Sequence, residues 1–291
     1  MNRLSSLLLF ACLAAISRAE TPLESAVALY HAKNYPAASD AFAKIAAADP
    51  QNAAAHFYLG ALAEKRGDND EAVRQLEQAT QLAPANSNYF LELGGAYGAA
   101  AQKAGLLAKL GWARKCGEAL EKSVALDPEN LAARNGLVSF YREAPSFVGG
   151  GTEKAHQQAE EIRKRDPLMG AAILGQLYLG ENKIDDAFTV YEAALKTNPD
   201  NYSILYAIGR AAAQTNQHLD RGEQALKRCL GLTPAKGDPG PAAVQWRLGN
   251  IAEKRGDLTS ARAAYQAALK LDPNFKSAAD ALAKLPAASA K

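Results

Sequence analysis

Cysteine, methionine and tryptophan are scarce, at three, two and two in 291 residues. Histidine is nearly as rare. His31, His56, His156 and His218 stand far apart, and none forms the helical two-histidine pair of a metal site. His156 lies four residues before Glu160, but a third ligand is missing. No Gly-x-Ser-x-Gly nucleophile turn occurs. The chain is therefore expected to be no enzyme and to hold no metal or cofactor. Proline and glycine together number 35, about 12%, close to the ordinary background, which excludes collagen and a flexible linker protein. No segment after the N-terminus reaches 18 uninterrupted apolar residues, so no later membrane span is expected. An excess of one charge is also absent. Lysine and arginine number 33 against 31 acids, which removes any bulk attraction to nucleic acid or anionic lipid.

Alanine is abundant. It occurs 63 times, about 22%, and it is the best helix former, so small side chains at close helix contacts are expected. Residues 1–19 read as an address label. Arg3 supplies a positive start, residues 7–16 are apolar, and Ser17 and Ala19 place small residues before a cut at Glu20. That apolar run is about ten residues, half of what a span requires. Leu9-Phe10-Ala11-Cys12 resembles a lipid-attachment motif, which Phe10 fits poorly. Cleavage would remove Arg3 and Arg18 and no acid, leaving 31 cations against 31 anions. The expectation is an exported protein, periplasmic or secreted, without stable membrane insertion. Cys116 and Cys229 would remain, far apart along the chain, and are expected as two small buried thiols rather than a disulfide. Arg163-Lys164-Arg165 follows Glu160 and Glu161 and reads as a solvated helix end.

A proline recurs through the chain. Pro50, Pro84, Pro128, Pro167, Pro199, Pro234 and Pro273 end similar phrases. The widest gap runs from Pro84 to Pro128 and the narrowest from Pro167 to Pro199. Each stops a helix. Asn52, Asn86, Asn130 and Asn201 follow two residues later, where the side chain caps the next helix. Two helices fit between successive prolines. In the second unit Phe57, Leu59, Gly60 and Ala63 lie on the first helix, Gly67-Asp68 makes the turn, and Ala72, Leu76 and Ala79 lie on the second. The last unit repeats this with Leu248, Gly249, Ala252, Gly256-Asp257, Ala261, Tyr265 and Ala268. Gly60 and Gly249 leave room for the partner helix, and Leu76 and Tyr265 fill it.

In these residues the chain resembles the tetratricopeptide repeat proteins. That family has a 34-residue helix–turn–helix unit with small residues at its eighth and twentieth positions and proline at its thirty-second. The eighth position falls on Gly60, Gly94, Gly175, Gly209 and Gly249, and the twentieth on Ala38, Ala72, Ala155, Ala187 and Ala261. Ala26 and Val138 replace the glycine in the first and fourth units, and Gly222 replaces the alanine in the sixth. The resemblance implies an all-α fold, a right-handed superhelix (α-solenoid) of about seven helix–turn–helix repeats with a C-terminal capping helix. The domain reading is a signal peptide over 1–19 and a solenoid over 20–285. Its repeats cover about 20–52, 53–86, 87–130, 131–167, 168–201, 202–236 and 242–275. A capping helix at 276–285 and a tail at 286–291 complete it.

Two units exceed the expected length, and both excesses fall between the first and second helix. Residues 98–112 (GAAAQKAGLLAKLGW) extend the helices of the third unit, and residues 144–151 (APSFVGGG) form the connection in the fourth. Internal turns of stacked units share one edge, so the two enlargements are expected as neighbours in one protrusion. Trp112 and Phe147 are its large apolar residues, either packed on each other or offered to a partner. Gly149-Gly150-Gly151-Thr152 lacks the lysine of a phosphate loop. It reads instead as a tight reversal with Thr152 capping a helix.

The resemblance also implies a ligand groove along the first helices. Carried over by register, it is lined by Phe57, Asn88, Asn135, Gln176, Tyr206, Arg210, Trp246 and Asn250. Aromatic area with amide and guanidinium groups suits an extended peptide or a helix. Some relatives clamp a terminal carboxylate with cations from three units. Here those places hold Leu23, Val27, Tyr58, Asn88 and Glu92, so that mode is disfavoured. The expected function is an exported scaffold or adaptor that binds a protein or peptide, with no nucleic acid. The alternative is a structural subunit that self-associates through its ends or the protrusion.

Overall fold

The structure, a computed structural model, describes residues 20–286. The expectations for the leader, including Cys12, and for residues 287–291 of the tail lie outside the described residues. Fifteen α-helices run through the described residues, with no strand among them. The first two pairs are α1 (Pro22–His31) with α2 (Tyr35–Ala48), and α3 (Ala53–Arg66) with α4 (Asn69–Leu82). Then come α5 (Ser87–Lys103) with α6 (Leu106–Leu126), and α7 (Leu131–Glu143) with α8 (Thr152–Arg165). Next are α9 (Pro167–Gly180) with α10 (Ile184–Thr197), and α11 (Tyr202–Thr215) with α12 (Leu219–Cys229). The last pair is α13 (Pro241–Lys254) with α14 (Leu258–Leu271), and α15 (Lys276–Lys284) follows it.

The helix starts are written in single side chains. Asn52, Asn130 and Asn201 each accept a hydrogen bond from the backbone N–H three residues on, all at 3.0 Å. Asn86 accepts from the N–H groups of Asn88 and Tyr89. Each bond satisfies an amide that the helix itself leaves free. Asp68 and Asp257 do the same for the second helices α4 and α14. Gly67 ends α3 at φ 76°, a left-handed conformation that costs glycine nothing.

Within a pair, the glycine of the first helix faces a large side chain of the second. A Cβ at Gly60 would stand 2.6 Å from Leu76, and one at Gly94 would stand 2.8 Å from Leu120. Gly175, Gly209 and Gly249 are closed in the same way by Tyr191, Leu226 and Tyr265. The fourth pair reverses the sizes. Val138 takes the glycine's place, Ala159 takes the large residue's place by register, and both are buried in one cluster. The interior is therefore a chain of clusters rather than one centre. One joins residues from Ala26 to Leu62, the next from Ala63 to Ala119, the next from Leu120 to Leu177. No pair has an interior of its own, as stacking of repeats requires. Tyrosine hydroxyls tie successive pairs together: Tyr97 donates to Glu77 at 2.6 Å and Tyr141 to Glu121 at 2.8 Å.

First helices touch the first helices of neighbouring pairs: α3 meets α5, α5 meets α7, α9 meets α11, and α11 meets α13. Second helices touch first helices instead. The first helices are thus the closer-spaced inner layer of the stack.

The extra residues of the third and fourth pairs leave this packing alone. Helices α5 and α6 run to 17 and 21 residues where most are 14. The connection after α7 holds a short 3-10 turn, Ser146–Val148. Gly150 is pressed so close to the Ala144 carbonyl that a side chain would overlap it, while Gly151 N–H donates to Tyr141 O at 2.8 Å. Thr152 does not cap α8. It is the first helical residue, Gly151 holds the cap position, and no side chain bonds there. The two enlargements are neighbours, with Phe147 and Val148 set against Leu110, Gly111 and Arg114. Trp112 and Phe147 do not stack on each other. Trp112 lies on Tyr97, ring centres 5.7 Å apart, under the Lys115 ammonium. Phe147 remains exposed.

Candidate functional site

The inner layer carries the expected groove residues, and the structure divides them. Phe57, on α3, is half-buried and stacks on Tyr89 of α5 with ring centres 4.6 Å apart. Asn88 and Asn130 meet, the Asn130 Nδ2 donating to Asn88 Oδ1 at 3.2 Å. Asn135 and Gln176 are exposed. Tyr206 is buried and belongs mainly to the core of the fifth and sixth pairs. Arg210 is half-buried, with its Nε lacking a hydrogen-bond partner. Trp246 meets Phe275 edge-on at 5.8 Å and lies under the Arg247 guanidinium at 4.0 Å. Asn250 donates to the Tyr265 hydroxyl at 2.9 Å. Phe57, Asn88 and Tyr89 thus belong to one end of the layer, and Trp246 and Asn250 to the other.

The densest group surrounds Phe57. Tyr58 stacks flat on Phe42 at 4.6 Å and meets Tyr30 at 5.1 Å. The Lys65 ammonium stands 5.7 Å from the Tyr30 ring centre and 5.3 Å from that of Tyr35. Such placement holds a cation against the negative ring faces. Glu64 and Glu92 share this face, and Gly95 borders it, a Cβ there standing at ordinary contact distance, 3.8 Å, from Glu64 Oε1. Both carboxylates are half-buried and have no hydrogen bond or ion pair among the described residues. Burial, and next the charge of Glu92, push the Glu64 carboxyl up to about 7. Burial also raises Glu92, against the opposing pull of Lys65.

A comparison inside the chain explains Glu64. Glu253 occupies the corresponding place on α13, four residues after Gly249, and accepts a hydrogen bond from Tyr265 at 2.7 Å. Leu76 stands where Tyr265 does, so Glu64 has no hydroxyl to receive. Register alone would have pointed to Glu64. Its meeting with Glu92, on the first helix of the next pair, depends on how the pairs stack.

Three of the histidines are tied by hydrogen bonds. His56 bonds Gln75 at 2.7 Å, His156 bonds Glu181 rather than Glu160, and His218 bonds Asp185 at 2.7 Å. Among the described residues no three histidine, cysteine, aspartate or glutamate side chains gather to hold a metal. Both described cysteines are free, Cys229 buried as expected but Cys116 only half-buried. Burial pushes the Cys116 thiol up to about 11 and the Cys229 thiol up to about 12. Arg163, Lys164 and Arg165 pair with Glu160 and Glu161, a solvated helix end.

Stacked helix pairs, five of the seven with a glycine-to-large contact, define an α-solenoid. The tetratricopeptide repeat profile matches residues 53–86, 174–236 and 242–275. The chain carries tetratricopeptide repeats over these stretches. It is 30% identical over 156 residues to the Protein CTR9 homolog of Arabidopsis thaliana, covering 50% of this chain and 14% of that one. It is 25% identical to the BBSome complex member bbs-4 of Caenorhabditis elegans, covering 75% of this chain and 45% of that one. The chain thus spans less than half the length of these relatives. The C-terminal part of a repeat protein from Cytophaga hutchinsonii superposes with a TM-score of 0.59 at 19% identity, covering 89% and 99% of the two chains. That likeness concerns the fold.

Proposed function

We propose that this protein is a non-enzymatic scaffold that holds a segment of a partner protein along its inner helix layer, with a basic side chain of that segment seated between Glu64 and Glu92. The observation that carries this reading is the pair of half-buried carboxylates on the touching helices α3 and α5, which have no hydrogen bond or ion pair among the described residues, on the face where Lys65 lies against Tyr30 and Tyr35. Two like charges in a partly dry place repel each other, and a bound ammonium or guanidinium relieves both the repulsion and the lost hydration. The rings add apolar area at little entropic cost. Farther along the layer, Arg210, Trp246 and Asn250 extend the surface for the rest of the segment.

A peptide array with and without lysine and arginine tests this. Wild type is expected to retain the basic peptides, and a variant carrying Glu64→Gln and Glu92→Gln is expected to lose them while keeping its helix content. Equal retention by both would overturn the reading of this end. Replacing Arg210 and Trp246 together by alanine is expected to weaken capture of long segments only. The leader-like residues 1–19 support an exported protein of a bacterial envelope. N-terminal sequencing of fractionated cells should then begin at Glu20, and an uncut cytosolic chain would refute export.

A further inference from the structure

The three most exposed large apolar side chains among the described residues all belong to the two enlargements. Leu106 is 77% exposed, Leu107 85% and Phe147 70%. The first two open α6, and none of the three joins a buried cluster. Leu107, Leu110, Gly111 and Arg114 follow one side of α6, being three or four residues apart. Phe147 and Val148 lie against Leu110, Gly111 and Arg114 around an apolar recess of about 280 Å³. The phenyl ring and the leucines of the first turn of α6 therefore form one tip.

The tip is flanked by positive charge. No acid occurs between Glu92 and Glu118, while Lys103, Lys109, Arg114 and Lys115 do. Lys103 donates to Gly67 O at 2.8 Å, and Lys115 pairs with Glu77 at 3.3 Å. Lys109 and Arg114 are exposed, with no hydrogen bond or ion pair among the described residues. The near-zero net charge of the chain conceals this local excess. An apolar projection bordered by unpaired cations matches the two layers of an anionic bilayer surface, acyl boundary below and phosphate above. No described helix is long and apolar enough to cross a membrane.

We propose that this tip is a membrane-surface contact: Leu106, Leu107 and Phe147 enter the headgroup boundary of a bilayer rich in anionic lipid, and Lys109 and Arg114 remain at its phosphates. The proposal stands apart from the inner-layer site, which uses other helices.

The test places a reporter on the tip of the full chain, so that binding by residues 7–16 is not mistaken for it. F147W is mixed with vesicles of equal parts phosphatidylglycerol and phosphatidylcholine carrying brominated acyl chains. Its emission is expected to shift to the blue and to be quenched well beyond the wild-type background from Trp112 and Trp246. Pure phosphatidylcholine should quench it far less. Adding Lys109→Glu and Arg114→Glu should reduce the affinity behind that quenching at least about tenfold. Quenching no greater than in wild type, or indifferent to lipid charge, would overturn the proposal. So would a dimer in vesicle-free buffer that Leu106→Ser, Leu107→Ser and Phe147→Ser convert to a monomer, since the occupant would then be a second copy.

Discussion

Gly94 faces Leu120 across the same close contact that Gly60 makes with Leu76, although a longer stretch of chain separates the first two. The surplus was added at the far end of a helix pair and leaves the contact intact. Glycine is required at both places because the opposing leucine already fills the volume of a side chain. Gly60→Leu and Gly94→Leu should each destabilise the fold by about 1–3 kcal/mol through overpacking. Chemical denaturation followed by helix content checks this. A neutral result at Gly94 would mean that the long pair is packed differently from its neighbours.

Glu64 should make stability depend on pH. Its folded carboxyl titrates at about 7, above the ordinary value of 4.5. The folded state therefore holds the proton more tightly than the unfolded state between these values. This contribution is fully present below pH 4.5 and is lost as the pH rises toward 7. Glu64→Gln removes the burden and should raise stability at pH 8 by about 1 kcal/mol, discounted for partial exposure. At pH 4 the same substitution should be nearly neutral. Denaturation midpoints at the two pH values decide between these outcomes.

Asn130 does more than begin a helix. Its Oδ1 accepts from Ala133 N–H, and its Nδ2 donates to Ser87 Oγ at 2.9 Å, on the preceding first helix. Ser87 in turn bonds Ser123, which is fully buried. Asn130→Ala should cost about 1–2 kcal/mol, at the upper end of capping effects. Asn201→Ala, which loses a cap alone, should cost less. Parallel unfolding curves compare the two.

The two thiols should be inert in the folded protein. Burial raises both, to about 11 at Cys116 and about 12 at Cys229, so little thiolate exists at pH 8. A thiol-reactive dye should label both at once in denaturant and neither promptly in native buffer. Rapid native labelling of Cys229 would show that α12 opens readily.

The recurring prolines, the asparagines two residues beyond them and the glycines of the first helices specify the fold on their own. Each acts through its own backbone or its nearest turn, and such effects are local. Asn52, Asn86, Asn130 and Asn201 cap the helices they precede. Thr152 misleads as a cap because Gly151 takes that position, a matter of one residue that composition does not settle. The site is a different matter. Tyr206 sits at a groove position by register, yet α11 lies so deep between its neighbours that the ring is buried. Glu64 and Glu92 meet only because α3 and α5 touch, and Leu106, Leu107 and Phe147 form a tip only because two insertions share an edge. Local order followed from short-range chemistry. Which side chains face one another across units followed from stacking, and that relation exists only once every pair has found its neighbour.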